Sequence, residues 1–275
     1  MIIDSHQHFW NYNPEEFDWI NDDMRSIRKS FSPKDLQTAL AGTEVEGVVS
    51  VQARQSLEET EWLLQLASEN DFIKGVVGWV PLTNKNLPEI LNRLKDNDLL
   101  KGVRHVIQGE PDPQFILNRN FNDGISQLNK HGLTYDILIM GHQLENTIRF
   151  ADQHPDQPFI LDHIAKPEIK KNEIQVWEKY IKELARRENV SCKVSGMVTE
   201  ADFKTWTEEQ LKPYFDVILE AFGPGRLLFG SDWPVCLVAT NYSRWLELVK
   251  KWISGLSNPE QEQILGGNAK LIYNL

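Results

Sequence analysis

Eight stretches of this chain are dominated by Val, Ile and Leu and close on polar residues. They are Ile2–His8, Val45–Ala53, Ile73–Leu82, Leu100–Ile107, Leu133–Met140, Pro158–Ile164, Val190–Ser195 and Arg226–Asp232. Near-continuous apolar runs of this length are what parallel strands buried on both faces require. Between them the period lengthens to that of a helix. Phe121, Ile125 and Leu128 stand at i, i+4 and i+7, as do Trp177, Ile181 and Leu184. Start signals mark the same segments. Ser32-Pro33 pairs a capping residue with proline at the first helical position, and Ser56-Leu57-Glu58-Glu59 and Thr207-Glu208-Glu209-Gln210 read as capping boxes. After the last strand, helices are expected near Tyr242–Ser254 and Pro259–Leu265.

Strands and helices alternate, with strand starts about 32 residues apart on average, and no Ser/Gly linker or low-complexity stretch divides the chain. The pattern predicts an α/β fold, a single (β/α)₈ TIM barrel over residues 1–275. The alternative, a doubly wound open sheet, lacks the G-x-G-x-x-G turn that a dinucleotide fold carries after its first strand.

Composition narrows the partners. Forty acidic against 29 basic residues give a net charge of −11, which repels nucleic-acid backbones and anionic membranes. No apolar run approaches the length of a membrane span. Met1 leads directly into a strand without a signal segment, so a cytoplasmic protein is expected. Cys192 and Cys236 lie in apolar contexts and read as reduced core residues. Most of the nine Trp read as packing residues. The oligomeric state is left open.

A barrel carries its site at the C-terminal ends of its strands. Those ends supply His6 and His8, two residues apart and therefore on one side of the first strand. They further supply Gln52 and Arg54, Trp79, Arg104 and His105, Tyr135 and Asp136, then Asp162, His163 and Lys166, Lys193 and Ser195, and Ser231 and Asp232. Each has a plain structural reading as well. His163 fits a core histidine bonded to a carbonyl, Asp232 a turn former, Arg104 half of an ion pair, and Lys193 a solvated strand-edge charge. Strand alternation lets only one of Arg104 and His105 point inward. His131, His142 and His154 fall outside the pattern and read as surface residues.

Several of these segments carry a family resemblance. Asp4-Ser5-His6-Gln7-His8-Phe9-Trp10, Lys101-Gly102-Val103-Arg104-His105, Leu161-Asp162-His163-Ile164-Ala165-Lys166-Pro167, Cys192-Lys193-Val194-Ser195-Gly196 and Gly230-Ser231-Asp232-Trp233-Pro234-Val235 resemble the amidohydrolase 2 family. Within it they are similar to the sugar-lactonase branch of L-fuconolactonase-like and L-rhamnonolactonase-like enzymes. The resemblance spans essentially the whole chain. It implies a barrel that hydrolyses the ring ester of a sugar-acid lactone.

Such chemistry needs a base for water, a positive or donor group at the carbonyl oxygen, and help for the departing ring oxygen. Asp232 is the expected base, the role its counterpart plays in the superfamily, with His163 and His105 as further catalytic candidates. Arg104, His105, Gln52 and Trp79 are the expected substrate-binding residues. His6, His8, His163 and Asp232 form an N₃O set suited to one divalent cation, zinc above others, and the reaction can dispense with it. Binuclear relatives place a modified lysine at the end of strand four. Arg104-His105 stands there, so two ions are not expected. Strand five also lacks the histidine of mononuclear relatives. Two other readings stay open: a metal-dependent decarboxylase or amide hydrolase on the same barrel, and a non-catalytic barrel that binds a sugar acid.

Overall fold

The computed structural model describes residues 1–275. Its strands are β1 Ile2–Gln7, β2 Val45–Val51, β3 Ile73–Gly78, β4 Leu100–Val106, β5 Thr134–Leu138, β6 Phe159–Leu161, β7 Val190–Val194 and β8 Leu227–Phe229. They form one sheet in the order β1 to β8, every pair parallel. The helices are α1 Pro33–Leu40, α2 Leu57–Glu69, α3 Leu87–Leu94, α4 Arg119–Leu128, α5 Leu144–Gln153, α6 Gln175–Leu184, α7 Glu208–Phe222, α8 Tyr242–Ile253, α9 Asn258–Glu262 and α10 Asn268–Tyr273. The fold is the (β/α)₈ barrel that the alternation predicts. Ser32, Ser56 and Thr207 cap α1, α2 and α7 with side-chain acceptors. No helix is long and apolar enough to cross a membrane.

Several strands are shorter than their apolar runs. β6 stops at Leu161 because His163 enters a left-handed turn. β3 stops at Gly78, which leaves Trp79 in the following loop.

Alternation divides each strand between two cores. Ile3, Val49, Val77, Ile160 and Leu228 meet inside the barrel, closed at its lower end by Ala269 and Tyr273 of α10. The other set, with Val48, Val76, Val103 and Tyr135, packs against the helices in a much larger apolar cluster. Cys192 and Cys236 are buried and unpaired. His154 is a correction to the surface reading: it is buried, 2.7 Å from Asn122 Oδ1 and packed on Phe150.

The two ends of the sheet meet through a seam of specific bonds. His8 N–H donates to Trp233 O at 2.7 Å, and Asp232 N–H to His6 O at 2.8 Å. Ser5 Oγ–H donates to Phe229 O at 2.7 Å. Asp4, fully buried, accepts from the N–H groups of His6 and Ser231 and from the Tyr242 hydroxyl, at 2.9–3.0 Å. The seam therefore sets the position of His6 and His8 relative to Asp232. Replacing Asp4 with Ala strands three buried donors. At about 1–3 kcal/mol for each unsatisfied group, the variant should lose on the order of 3 kcal/mol in urea unfolding. A loss below about 1 kcal/mol would show that the seam does not depend on this carboxylate.

Candidate active site

The functional side chains gather at the C-terminal end of the barrel because inward positions there are polar. In the register of β4 on β5, Arg104 lies opposite Asp136, and His105 opposite Ile137. The two pairs face opposite sides of the sheet. Arg104, Asp136, Asp162 and Lys193 are all at most 3% exposed. Of the two readings of Lys193, the inward strand-end candidate holds and the solvated edge does not. Lys193 is fully buried, because its neighbours Cys192 and Val194 face the helix layer. Its Nζ contacts Asp136 Oδ2 and lies 2.9 Å from Asp162 Oδ1 and 3.1 Å from His6 Nδ1. Tyr273 donates its hydroxyl to Asp136 Oδ2 at 2.7 Å. Arg104 Nη1–H donates to Asp162 Oδ2 at 2.9 Å, its Nη2 to the Gln52 backbone carbonyl, and Gln52 Nε2 returns a bond to Arg104 O at 3.3 Å.

Above this layer lie three imidazoles and one carboxylate. Asp232 Oδ1 is 3.4 Å from His8 Nε2, 3.8 Å from His6 Nε2 and 3.9 Å from His163 Nε2. His8 Nδ1–H donates to Val51 O at 2.7 Å, which turns Nε2 inward. Donor-only groups approach His6 on both sides, Arg104 Nη1 at 3.3 Å from Nε2 and Lys193 Nζ at 3.1 Å from Nδ1, and Asp162 Oδ1 lies 3.3 Å from Nδ1. His6 Nε2 and His8 Nε2 are 3.1 Å apart. Two ring nitrogens that close, with Asp232 beside them, can share a proton or a cation. The ring nitrogens facing away are held by a carbonyl, a carboxylate and, for His163 Nδ1, Ser195 Oγ at 2.9 Å. Outer partners of this kind orient metal-ligating histidines. His6, His8 and Asp232 lie close enough to share one ion, and the donor set fits a divalent cation. A second group, His6, Asp162 and His163, has its carboxylate already taken by Lys193 and Arg104.

Burial sets the titration of the cluster. It drives His6 well below the usual imidazole value and His163 down to about 4, so both rings are neutral near pH 7. Burial alone would raise Asp232. The imidazoles of His163, His8 and His6 outweigh it and hold Asp232 well below the carboxylate range. Asp162 is likewise held low against its burial by Lys193, His6 and Arg104. Asp136 is pushed up to about 6 by burial and by Asp162, despite Lys193.

His163 owes its direction to backbone strain. His163, Ile164, Ala165 and Lys166 all have φ between 45° and 60°. Left-handed conformation costs an L-residue roughly 1–2 kcal/mol, more for a β-branched one such as Ile164. Trp177 Nε1–H to Ile164 O at 2.8 Å and full burial of Ile164 and Ala165 hold the turn. Gly196 (φ +66°) makes room for it, since a Cβ there would stand 2.6 Å from the His163 ring.

The cluster floors a cleft of about 550 Å³. Arg104, His8, His163 and Asp232 line it, together with Trp10, Trp19, Arg54, Gln108 and Lys166. Arg54 pairs with Glu16 at 2.8 Å. The loop carrying Arg54 is fixed from below by Glu59. The Glu59 carboxylate turns away from the expected capping box and accepts from Ala53 and Arg54 N–H at 2.9 and 2.7 Å. Of the four expected substrate-binding residues, Arg104 reaches the cleft and Gln52 props it from behind. His105 and Trp79 face a separate cavity across β4, with Trp79 Nε1–H donating to His105 Nδ1 at 3.2 Å and His105 Nε2 bonded to Glu110 at 2.6 Å.

A sequence model of the family described as Amidohydrolase matches residues 3–275. An L-fucono-1,5-lactonase of Burkholderia multivorans is 35% identical over 100% of this chain and 96% of its own length. An L-fucono-1,5-lactonase of Burkholderia ambifaria is 32% identical over 99% of this chain and 95% of its own. A crystal structure of a B. multivorans amidohydrolase with bound zinc superposes with a TM-score of 0.96 at 35% identity, covering 100% of this chain and 99% of that one.

Removing the Lys193 ammonium tests the layer under the site. In Lys193→Met, Asp162 keeps Arg104 as its one cation and Asp136 keeps only the Tyr273 hydroxyl, and breaking a buried pair in this way costs about 3–5 kcal/mol. The deficit should depend on pH. Asp136 already binds its proton more tightly folded (about 6) than its ordinary 3.8, and loss of the cation raises it further. A protonated Asp136 needs no countercharge. The stability gap between parent and variant should therefore be widest at pH 8 and shrink toward pH 5 in urea titrations. A gap that grows on acidification would contradict this reading.

Proposed function

The chain belongs to the amidohydrolase family, and from that premise we propose that it hydrolyses the ring ester of a sugar-acid lactone of the L-fucono-1,5-lactone type. The observation that carries the proposal is the approach of three imidazole nitrogens to Asp232 Oδ1, all within 3.9 Å, at the floor of a cleft of sugar-ring size. Two relatives named for this activity match across essentially their whole lengths, which supports the substrate class.

Asp232 takes the proton of the attacking water. Its neighbours keep it ionised throughout the neutral range, so it is available as an acceptor without prior titration. The oxygen that gains charge at the carbonyl is stabilised by positive charge lining the cleft. Arg104 is the fixed cation there, held rigid by Asp162 and Gln52. His163 and His8 border the attacked centre. Trp10 and Trp19 supply apolar wall. We further propose that His6, His8, His163 and Asp232 hold one divalent cation, zinc by analogy with the zinc-bound relative. When bound, such an ion supplies positive charge that polarises the lactone carbonyl.

The test is a pH-indicator assay over a panel of aldonolactones, run with and without chelator. The parent should open a 6-deoxy-aldono-1,5-lactone. Asp232→Asn keeps shape and hydrogen bonding but cannot accept the proton, and should lose on the order of 10²–10⁴ in turnover while remaining folded. Near-normal turnover by a folded Asp232→Asn protein would remove Asp232 from the role. Elemental analysis of protein purified without added metal should find at most about one equivalent of zinc, and two tightly held ions would contradict the single-ion reading.

A further inference from the structure

Opening a lactone creates an alkoxide on the ring oxygen, and an alkoxide departs only as it gains a proton. Most ionisable groups lining the cleft cannot give one. Arg54 and Arg104 are guanidinium ions, which do not release protons in the working range. Asp232 is the acceptor of the water's proton, and Glu16 is the carboxylate partner of Arg54. His8 Nδ1–H is committed to Val51 O, and His163 Nδ1 is engaged with Ser195 Oγ. Lys166 remains.

Three features mark it out. It lines the same cleft as Asp232, His163 and Arg104. It is the last of four consecutive left-handed residues, the turn that also aims His163 inward, so the strain that orients one side chain fixes the other. Such strain persists only where surrounding structure enforces it, and it concentrates at functional positions. Its ammonium makes no hydrogen bond within the protein. The one carboxylate near it, Glu200, is at 3.9 Å, and both side chains are about four-fifths buried. The ammonium is thus tethered and partly desolvated, with its N–H donors uncommitted.

We propose that Lys166 is the general acid that protonates the departing ring oxygen, an assignment that rests on the lactonase reading. Water loses a proton to Asp232 as its oxygen bonds to the carbonyl carbon. When the tetrahedral adduct collapses, the carbonyl re-forms and the bond from carbon to ring oxygen breaks. Its electron pair stays on the ring oxygen, which takes a proton from Lys166 Nζ. The neutral amine recovers a proton through solvent from Asp232, and the hydroxy acid leaves. The rival donor is Asp232 itself, carrying the proton it took from water.

Lys166→Met and Lys166→Arg, compared with the parent protein, distinguish the two. Arginine keeps the charge and the tether but cannot give up a proton. The substrates are an aldono-1,5-lactone, which releases an alkoxide, and dihydrocoumarin, whose phenolate needs little protonation. Both variants should lose about 10²–10³ in kcat on the aldonolactone with KM little changed, and less than about tenfold on dihydrocoumarin. Three results overturn the assignment: rescue by arginine, equal losses on both lactones, or a loss confined to KM. Where dihydrocoumarin is not turned over, the arginine comparison and the split between kcat and KM on the aldonolactone decide alone. A parent that opens no aldonolactone defeats the lactonase reading and this assignment with it. A parent that opens one, with an active Lys166→Arg variant, defeats only the assignment.

Discussion

An ion moved alone from water into a protein interior loses several kcal/mol. The upper half of this barrel holds five ionisable groups of opposite sign almost without solvent: Asp136, Asp162 and Asp232 with Lys193 and Arg104. None is tolerable singly. The arrangement is stable because each carboxylate meets a different set of partners. Asp162 lies between both cations and stays ionised. Asp136, deeper and beside Asp162, is drawn toward its protonated form and leans on Tyr273. Asp232 meets only imidazoles. A continuous series of contacts runs from Tyr273 through Asp136, Lys193 and His6 to Asp232. The C-terminal helix that plugs the bottom of the barrel is thereby connected to the floor of the cleft.

Two pieces of local geometry convert that layer into a site. The seam between β1 and β8 sets His6 and His8 against Asp232 through Asp4 and two backbone bonds. The left-handed turn after β6 brings His163 in from the far side. The seam uses ordinary extended backbone and hydrogen bonds. The turn uses strain, offset by the burial of Ile164 and Ala165 and by the missing Cβ of Gly196. A relaxed backbone at residues 163–166 would aim the imidazole elsewhere.

Much of this could be read in the sequence, for a physical reason. Buried parallel strands must be apolar on both faces, so a polar residue inside such a run stands out, and His6, His8, Arg104, Asp162 and Asp232 do. The rest depended on which face a side chain takes. Arg104 and His105 are adjacent and equally polar, and only the register with β5 shows that His105 turns outward. Lys193 carries two readings in the sequence, strand-end candidate and solvated edge, for a related reason: a lysine suggests solvent unless its partners are known. Those partners, Asp136 and Asp162, lie on two other strands. The flanking Cys192 and Val194 were the available signal, since two outward core residues force the one between them inward. Nothing in Asp162-His163-Ile164-Ala165-Lys166 announces a left-handed turn, because its stability comes from Trp177 and Gly196 elsewhere in the chain.

The same charge inventory limits what the site can bind. Lys193 and Arg104 match the carboxylates of Asp136 and Asp162 one for one, which leaves Asp232 as the unmatched negative charge beneath the cleft. One dication at His6, His8 and Asp232 leaves a single excess positive charge, close to where an oxyanion would form. A second dication would need Asp162, His6 and His163. Asp162 already accepts from Arg104 and contacts Lys193, and the incoming ion would face both cations at short range. Like charges a few ångströms apart in a poorly solvated interior repel by several kcal/mol even at an effective dielectric of about 20. Lys193 therefore occupies by charge what a second metal would occupy by coordination, and the barrel's own side chains disfavour a second ion.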